Sequence, residues 1–316
     1  MKIQLITPAP LSINNGNKIT ALRWARILRR LEHQVDLGQT YDGARSDLLI
    51  ALHARRSYES IQRFHELNPN LPLIVALTGT DLYRDIRKSR KARRSLAIAT
   101  RLVVLQKMAL VELPKRFHSK TRVIYQSAEQ YDGNPPASND GIFKVCVIGH
   151  LRKEKDPFRT ALATRQLPSH SRIKILHVGH ALDGTLEKWA RAETHSNPRY
   201  RWVGAWPHWK TRKALAESHL LSLTSRIEGS SNVLSEALAS SVPVVASRIP
   251  GLVGTLGKDF PGYFPAGDTR RLASLLIKSE SDRRFYQLLK RHCSRLAHLV
   301  DPLRELDAWR RLIEEF

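Results

Sequence analysis

Short apolar runs alternate with amphipathic stretches along the whole chain. The first half contains five runs that predict β-strands, at Lys2–Thr7, Asp47–Leu52, Pro72–Leu77, Arg101–Leu105 and Arg122–Gln126. After the first run, Asn17–Leu31 carries apolar residues near helical spacing, which predicts an amphipathic helix. Strands that alternate with helices indicate crossover connections and therefore a parallel sheet.

A polar, turn-rich segment at residues 131–141 predicts a linker between this series and a second one. The second series has strand-like runs at Ile142–Gly149, Ile173–Gly179, Leu220–Leu223 and Val242–Ala246, and a predicted helix at Pro302–Phe316 ends the chain. We predict an α/β protein with two facing Rossmann-like lobes and C-terminal helices, divided into an N-terminal lobe (1–139), a C-terminal lobe (140–300) and a closing helix (301–316). Because such sheets bind ligands at the carboxyl ends of their strands, we expect an interlobe cleft.

The charge balance narrows the range of ligands. The 316 residues include 52 Lys and Arg against 29 Asp and Glu, a formal net charge of +23, which suits nucleotides, phosphates, nucleic acid or acidic lipid headgroups. Two cysteines, Cys146 and Cys293, are too few for a disulfide framework and fit a reducing cytosol. The chain opens on a strand without the apolar core of a signal peptide, and it has no run of about 18 apolar residues. We therefore expect a cytoplasmic protein with no membrane span.

The segment Ser225–Glu236 carries the most chemistry. The turn between its strand and its helix consists of four small or polar residues: Gly229, Ser230, Ser231 and Asn232. The first N–H groups of a helix favour anions, so a pyrophosphate fits this turn. Glu228 and Glu236 repel phosphate, but they accept hydrogen bonds from hydroxyl groups on either side of it. The pattern predicts a nucleotide sugar, and the alternative is a capped surface helix with two solvated glutamates.

Landmarks in and after this segment resemble those of the retaining GT-B glycosyltransferases of the glycogen-synthase-like and sucrose-synthase-like group. They are the Glu228-x7-Glu236 spacing, Ala237–Ala239, Pro243–Ser247, Pro250–Leu252 and Phe264–Asp268. The resemblance implies that Glu228 contacts the donor sugar and that Glu236 contacts the ribose. It also implies that the helix start between them, including Val233 and Leu234, belongs to the donor site.

Those families also carry a Gly-Arg-x4-Lys pattern whose Arg and Lys hold the pyrophosphate. Here the pattern falls on residues 149–155, where Lys155 matches, His150 stands in place of Arg, and Arg152 follows two residues later. A structural role is the alternative for His150. The resemblance further implies a base-binding loop at Trp202–Pro207, which includes Gly204. It also implies a first glycine loop, with Gly16 and Asn17, that faces the donor; a plain strand–helix turn is the alternative for that loop.

Polar residues gather at the predicted strand ends of the first lobe. They suit a small anionic acceptor, because they offer many hydrogen-bond donors, positive charge and little apolar surface. The predicted acceptor-binding residues are Lys18, Arg55, Arg56, Thr78, Gly79, Thr80, Asp81, Gln106, Gln126 and Ser127, with His53 beside them. Plain surface positions are the alternative for both arginines.

Several phrases of the first lobe resemble the selenosugar synthases of the selenoneine pathway, and the resemblance spans nearly the whole chain. The phrases are Gly16–Trp24, Ala51–Ser57, Leu77–Asp85, Val104–Gln106, Val123–Ser127 and Gly149–Pro157. The resemblance implies an enzyme that joins selenophosphate to the sugar of a UDP-sugar, typically UDP-N-acetylglucosamine, and so forms a carbon–selenium bond.

We predict displacement at the anomeric carbon, with Glu228, Lys155, Arg152 and His53 as the catalytic residues. The chain has no Asp-x-Asp signature, and basic side chains with a helix start can stabilise the leaving pyrophosphate, so we expect neither a metal nor another cofactor. Small-molecule substrates are the expected partners, without nucleic acid. The alternatives are a hexosyltransferase with a hydroxyl acceptor, a lectin-like relative without catalysis, and a basic protein that binds nucleic acid or a membrane surface.

Overall fold

The structure is a computed structural model that describes residues 1–8, 15–131 and 141–316. Two compact units are formed. The first contains Met1–Ser127, Glu228–Ser231 and Pro302–Phe316, and the second contains Ala128–Ile227 and Asn232–Asp301. The predicted lobe boundary between 139 and 140, and residues 132–140 of the predicted linker, lie outside the described residues.

The first unit is built on a parallel sheet of six strands in the order β2-β1-β3-β4-β5-β6. The strands are β1 (Lys2–Ile6), β2 (Gln34–Gly38), β3 (Leu48–Leu52), β4 (Leu73–Leu77), β5 (Arg101–Val104) and β6 (Thr121–Val123). Its helices are α1 (Gly16–Arg30), α2 (Tyr58–Leu67), α3 (Ile86–Lys88), α4 (Arg90–Ile98) and α5 (Ala109–Glu112), with a π-helical turn at Asp81–Asp85 and a 3₁₀ turn at Lys115–Phe117. Every residue of β3 and β4 is buried, as expected for strands that are covered on both faces.

The second unit has a second parallel sheet, in the order β12-β11-β10-β7-β8-β9. The strands are β7 (Phe143–Ile148), β8 (Ile173–Val178), β9 (Tyr200–Trp202), β10 (Leu220–Leu223), β11 (Val244–Ser247) and β12 (Tyr263–Phe264). The helices are α6 (Arg159–Thr164), α7 (Gly184–Ser196), α8 (His208–Ala216), α9 (Asn232–Ala239), α10 (Pro250–Leu256), α11 (Thr269–Ser281) and α12 (Arg283–Leu296), with 3₁₀ turns at Lys153–Lys155 and Ala297–Val300.

The last helix, α13 (Pro302–Ile313), returns to the first unit. Its Trp309 is fully buried and meets Trp24 of α1 edge to face, with ring centroids 4.8 Å apart. Glu305 of the same helix is 2% exposed, and its carboxylate accepts hydrogen bonds from Arg23 Nε (2.9 Å), Trp24 Nε1 (2.8 Å) and the backbone N–H of Ser127 (2.8 Å). A buried carboxylate is stable only when its oxygens are satisfied in this way, so Glu305 fixes α13 against α1.

These sheets confirm the predicted α/β class, the two Rossmann-like lobes and the C-terminal helices. Three strands were not predicted, namely β2, β9 and β12, and each lies at the edge of its sheet. Edge strands have one neighbouring strand and shorter apolar runs, so their sequence signal is weak. Over the described ranges, no helix combines the length and the apolar character that a membrane crossing requires.

Candidate active site

The turn after β7 is shaped by contact with the turn after β8. A Cβ placed on Gly179 would lie 1.9 Å from the carbonyl oxygen of Gly149 and 2.4 Å from its carbon, so only glycine fits at position 179. The N–H of Gly179 donates to the carbonyl of Gly204, which has a φ of +70° (2.8 Å). Gly149, Gly179 and Gly204 thus lie close together at the carboxyl ends of β7, β8 and β9. This is the edge at which parallel sheets bind ligands.

A buried histidine lies directly beneath this turn. His177 is 1% exposed; its Nδ1 lies 2.7 Å from the Tyr200 hydroxyl and its Nε2 lies 3.3 Å from the carbonyl oxygen of Gly149. A carbonyl can only accept, so Nε2 carries the hydrogen and Nδ1 accepts from Tyr200. Burial lowers the pKa of His177 to about 4, and the bond to Gly149 opposes this change. The neutral imidazole therefore holds the Gly149 turn in place.

His150 has its tautomer fixed by the backbone. The N–H of His180 donates to His150 Nδ1 at 3.1 Å, and the two rings meet edge to face with centroids 6.3 Å apart. Because Nδ1 accepts a hydrogen, the proton of this imidazole is on Nε2. At the position where the family pattern has Arg, this chain therefore offers a neutral N–H donor in this geometry.

The predicted pyrophosphate lysine returns to the same turn. Lys155 ends the 3₁₀ turn Lys153–Lys155, and its Cδ would lie 3.8 Å from a Cβ built on Gly149. The hydroxyl of Thr224, just after β10, donates to the carbonyls of Lys155 (2.9 Å) and Asp156 (3.0 Å). Arg152 Nε lies 3.9 Å from Glu154 Oε2. The loop is thus docked on the end of β10, and the Lys155 side chain runs alongside Gly149.

The segment Ser225–Glu236 leaves the same sheet edge and enters α9. The hydroxyl of Ser247 donates to the Ser225 carbonyl at 2.5 Å, and α9 begins at Asn232, the last residue of the predicted turn. Residues Glu228–Ser231, including Ser230, group with the first unit. A Cβ on Gly229 would lie 2.3 Å from the carbonyl oxygen of Thr78 and 2.7 Å from the N of Gly79, so this position also admits only glycine. Glu228 and Val233 are partly exposed, whereas the side chain of Leu234 is fully buried in the core.

Glu236, the predicted ribose ligand, has a partner that the sequence did not indicate. Its Oε1 accepts a hydrogen bond from Nε2 of His208, the first residue of α8, at 2.8 Å. The Glu236 side chain is 10% exposed and the His208 side chain is 56% exposed. Trp202, the first residue of the predicted base-binding loop, donates from Nε1 to the Gly179 carbonyl at 2.8 Å.

In the first unit, the predicted acceptor residues meet around a buried aspartate. Asp81 is fully buried, and its carboxylate accepts from the backbone N–H groups of Ala54 (3.0 Å), Thr78 (3.0 Å) and Gly79 (2.8 Å). It therefore ties the loop after β3 to the loop after β4. Its oxygens are used by the backbone, which gives its side chain a positioning role within the predicted site.

His53 lies at the junction of these two loops. It adopts a φ of +72°, and its Nε2 is 3.1 Å from the hydroxyl of Thr80. Arg55 Nε donates to Asp85 at 2.7 Å, and Arg84 Nε donates to the same carboxylate at 3.1 Å. Burial raises the pKa of Asp85, but these two guanidinium groups outweigh it and hold the pKa below its ordinary value. Arg56 is exposed.

Three further predicted acceptor residues are buried and form hydrogen bonds within the first unit. Gln106 donates to the Tyr83 hydroxyl at 2.7 Å, and Gln126 donates to the Thr20 hydroxyl at 2.5 Å, which in turn donates to the Gly16 carbonyl at 2.9 Å. Ser127 donates to Glu305 from its backbone (2.8 Å) and its hydroxyl (2.5 Å). The side-chain oxygens of Gln106 and Gln126 are buried and have no partner among the described residues. These side chains brace the loops of the first sheet.

The predicted glycine-loop residues Gly16 and Asn17 form the start of α1. Asn15 is its N-cap and accepts from the N–H of Lys18 at 3.0 Å. Lys18 is partly exposed. Within residues 1–8, 15–131 and 141–316, no three His, Cys, Asp or Glu side chains are grouped so that they could hold a metal ion.

A cavity of about 690 Å³ opens elsewhere in the second unit, between α8 and the sheet. Its strand wall includes Lys144 and Lys174, at the amino ends of β7 and β8; on the other side lie Lys210 of α8 and Trp206 of the loop before that helix. Gly149 and Gly179 lie at the opposite ends of these two strands. Trp206, which belongs to the predicted base-binding loop, lines the cavity, whereas the predicted pyrophosphate and sugar ligands Lys155, Glu228 and Glu236 do not.

Residues 132–294, a little more than half of the chain, match the protein family described as "Glycosyl transferases group 1". The chain belongs to this family.

Several solved structures share the fold over the full length or nearly so. HepE of Anabaena, solved with UDP-glucose, has a TM-score of 0.80 at 14% identity, with 100% of each chain covered. Sucrose-phosphate synthase of Thermosynechococcus elongatus has a TM-score of 0.76 at 16% identity, again with 100% of each chain covered. A glycosyltransferase of Rickettsia africae has a TM-score of 0.72 at 14% identity, with 99% of this chain and 97% of that chain covered. At these identities the likeness shows the fold alone, and it confirms the predicted GT-B fold.

The region that matches the group 1 family holds most of the predicted donor residues, from His150 to Glu236. It does not include the first-unit residues around Asp81. Membership therefore supports the glycosyltransferase class and leaves the acceptor to other arguments.

Proposed function

We propose that this group 1 glycosyltransferase transfers the sugar of UDP-N-acetylglucosamine to selenophosphate. The selenium of selenophosphate attacks the anomeric carbon, a carbon–selenium bond forms, and the bond from that carbon to the UDP oxygen breaks, with its electron pair leaving on UDP. Water then cleaves the selenium–phosphorus bond and releases phosphate, which leaves a 1-selenosugar.

The observation that carries the transferase step is family membership over the region with the donor residues. The choice of UDP is supported by the Glu228-x7-Glu236 spacing, and HepE, a protein of the same fold, has been solved with UDP and with UDP-glucose. In the proposal, Lys155, Arg152 and the helix start at Asn232 stabilise the leaving pyrophosphate. Glu228 orients the donor sugar, and Glu236 binds the ribose.

The choice of selenophosphate is supported by the first unit. Its phrases from Gly16 to Ser127 resemble those of selenosugar synthases. The loops after β3 and β4 bring His53 and Thr80 within 3.1 Å of each other, and Arg56 and Lys18 add positive charge to the predicted acceptor set. A small anion with a nucleophile that is already negatively charged requires positioning more than it requires a general base.

The test combines the purified protein, UDP-N-acetylglucosamine and selenophosphate. We expect UDP release and, by mass spectrometry, a selenium-containing sugar. A parallel reaction with other UDP-sugars compares donors. UDP release with a hydroxyl acceptor but no selenosugar would refute the selenium chemistry and would leave the hexosyltransferase alternative. No UDP release with any acceptor, and no binding of UDP, would refute the donor as well.

A further inference from the structure

The predicted ribose ligand and the predicted base-binding loop are connected through one side chain. The loop Trp202–Pro207 runs directly into His208, and the imidazole of His208 hydrogen-bonds the carboxylate of Glu236 at 2.8 Å. We infer that His208 is a positioning residue for nucleotide binding, and that it holds Glu236 in the rotamer that receives the ribose hydroxyls. This inference rests on the proposed function, because it takes Glu236 as the ribose ligand.

The environment of Glu236 explains why a partner is required. The residue lies on α9 and is 7% exposed, whereas its side-chain partner on α8 is largely exposed. Burial of a carboxylate without hydrogen-bond donors destabilises the folded state. The side chain is therefore expected to adopt a rotamer in which its oxygens accept hydrogen bonds. Within the described part of the chain, this carboxylate accepts its side-chain hydrogen bond from His208.

The contact leaves the carboxylate able to bind a diol. An ionised carboxylate only accepts, so Nε2 of His208 is the donor, and it occupies one site on Oε1. A carboxylate has about four acceptor sites on its two oxygens, so two adjacent hydroxyl groups can still bind. The carboxylate would accept hydrogen bonds from the vicinal 2′- and 3′-hydroxyls of a ribose.

The main effect is preorganisation. A glutamate side chain that becomes immobilised when its ligand binds loses conformational entropy, and this loss weakens binding. A side chain that is already immobilised avoids the loss. Loss of the imidazole should therefore weaken UDP binding about fivefold, which is the fold-change expected for one immobilised flexible side chain. Because UDP is held in both the ground state and the transition state, KM for the UDP-sugar should rise while kcat changes less than about twofold.

The variants separate positioning from folding. His208→Ala removes the donor, and His208→Gln places an amide N–H near the position of Nε2 and should restore most of the affinity. His195→Ala is the matched control, because His195 is an exposed histidine in the last turn of α7 in the same unit. Thermal unfolding of all three should agree closely, which shows that affinity changes do not come from loss of the fold.

Isothermal titration with two probes gives the decisive comparison. With UDP, His208→Ala should bind about fivefold more weakly than the wild type, and His195→Ala should bind as the wild type does. With 2′,3′-dideoxyuridine diphosphate, the wild type and His208→Ala should bind equally, because the hydroxyls that Glu236 would read are gone. In a Glu236→Gln background, the effect of His208→Ala on UDP binding should also largely disappear.

Three results would overturn the inference while leaving the proposed donor intact: equal UDP affinity of His208→Ala and wild type, an unchanged effect with the dideoxy probe, or no rescue by His208→Gln. If the wild-type protein does not bind UDP at all, the proposed function fails first. The two failures are therefore distinguishable.

Discussion

Gly179→Ala is the substitution that tests the candidate site most directly. The new Cβ would lie 1.9 Å from the Gly149 carbonyl oxygen and 3.0 Å from the N of His150. Carbon atoms are in favourable contact at about 3.5–4.0 Å, so relief of this overlap requires the turn after β7 to move by more than about 1 Å. The atoms that move are backbone atoms beside His150 and Lys155, which cannot yield as the end of a flexible side chain can.

The expected loss has two parts. Overpacking of this kind costs about 1–3 kcal/mol of stability, which for a unit of this size lowers Tm by roughly 2–12 °C. Misplacement of binding groups by about 1 Å costs on the order of 100-fold in rate, so kcat/KM for the UDP-sugar should fall by about that factor. UDP release measures the rate, and scanning calorimetry measures Tm.

Gly184→Ala is the matched control. Gly184 begins α7, and nothing lies within 4 Å of a Cβ built there. Alanine should be accepted or slightly stabilising at that position, since glycine disfavours a helix by roughly 0.5–1 kcal/mol relative to alanine. If Gly179→Ala kept wild-type activity and stability, the turn would not be held as described and its role in donor binding would be refuted.

Four further outcomes are expected. Glu228→Gln should lower kcat/KM for the UDP-sugar by roughly 10- to 100-fold, the value of a hydrogen bond to a charged group, with Tm unchanged; unchanged turnover would contradict its donor role. Glu305→Gln should lower the free energy of unfolding in urea by about 3–5 kcal/mol, whereas Glu314→Gln, at an exposed position, should change it by less than about 0.5 kcal/mol. Because the pKa of His177 is lowered from 6.5 to about 4, the unfolded chain binds a proton that the folded chain does not bind between these values. Stability should therefore fall by about 3 kcal/mol as the pH decreases from about 6.5 to about 4, and His177→Gln should flatten this part of a denaturation profile. Turnover should persist after dialysis against EDTA, as the absence of an Asp-x-Asp signature predicts; loss of turnover that Mg²⁺ restores would contradict this.

The central strands of both sheets were predictable from sequence because they are buried on both faces. A run such as Leu73–Leu77 is apolar at every position, and its burial leaves no alternative to a core strand. The edge strand Gln34–Gly38 contains exposed and partly exposed positions, so its pattern resembles that of a loop. Prediction therefore succeeded for every central strand and failed for three of the four edge strands; the fourth, β6, was predicted from its apolar run.

The candidate site was predictable where a spacing along the chain encodes it. The interval from Glu228 to Glu236 and the return of Lys155 to the Gly149 turn both fall within one local segment. The contacts of His208 with Glu236 and of His177 with Gly149 each join residues 28 positions apart. No local pattern marks such pairs, because they depend on which strands become neighbours in the sheet.

The polar residues of the first unit show a different limit. Sequence reasoning placed Asp81 and Ser127 at strand ends, and it assigned them to the acceptor because polar side chains there often contact ligands. In the structure, Asp81 accepts from three backbone N–H groups, and Ser127 binds Glu305, which is 178 residues away. The backbone N–H and C=O groups of the loop after a strand also need hydrogen-bond partners. The sequence does not show how many polar side chains at the strand end serve as those partners instead of binding a ligand.

The exchange of Arg for His150 is coupled to a second residue of this chain. Arginine has no acceptor atom, whereas His150 accepts the N–H of His180 through Nδ1 at 3.1 Å. An arginine at position 150 would add a charge beside the proposed pyrophosphate, but it would also remove the acceptor of His180, and an unsatisfied backbone N–H costs about 1–3 kcal/mol. A neutral N–H donor contributes less to anion binding than a guanidinium does, so in the proposed donor site the positive charge comes from Lys155 and Arg152. His150 therefore attracts phosphate less than an arginine would, but it accepts the backbone N–H of His180 and so fixes the turn. Donor affinity then depends on the charges of Lys155 and Arg152.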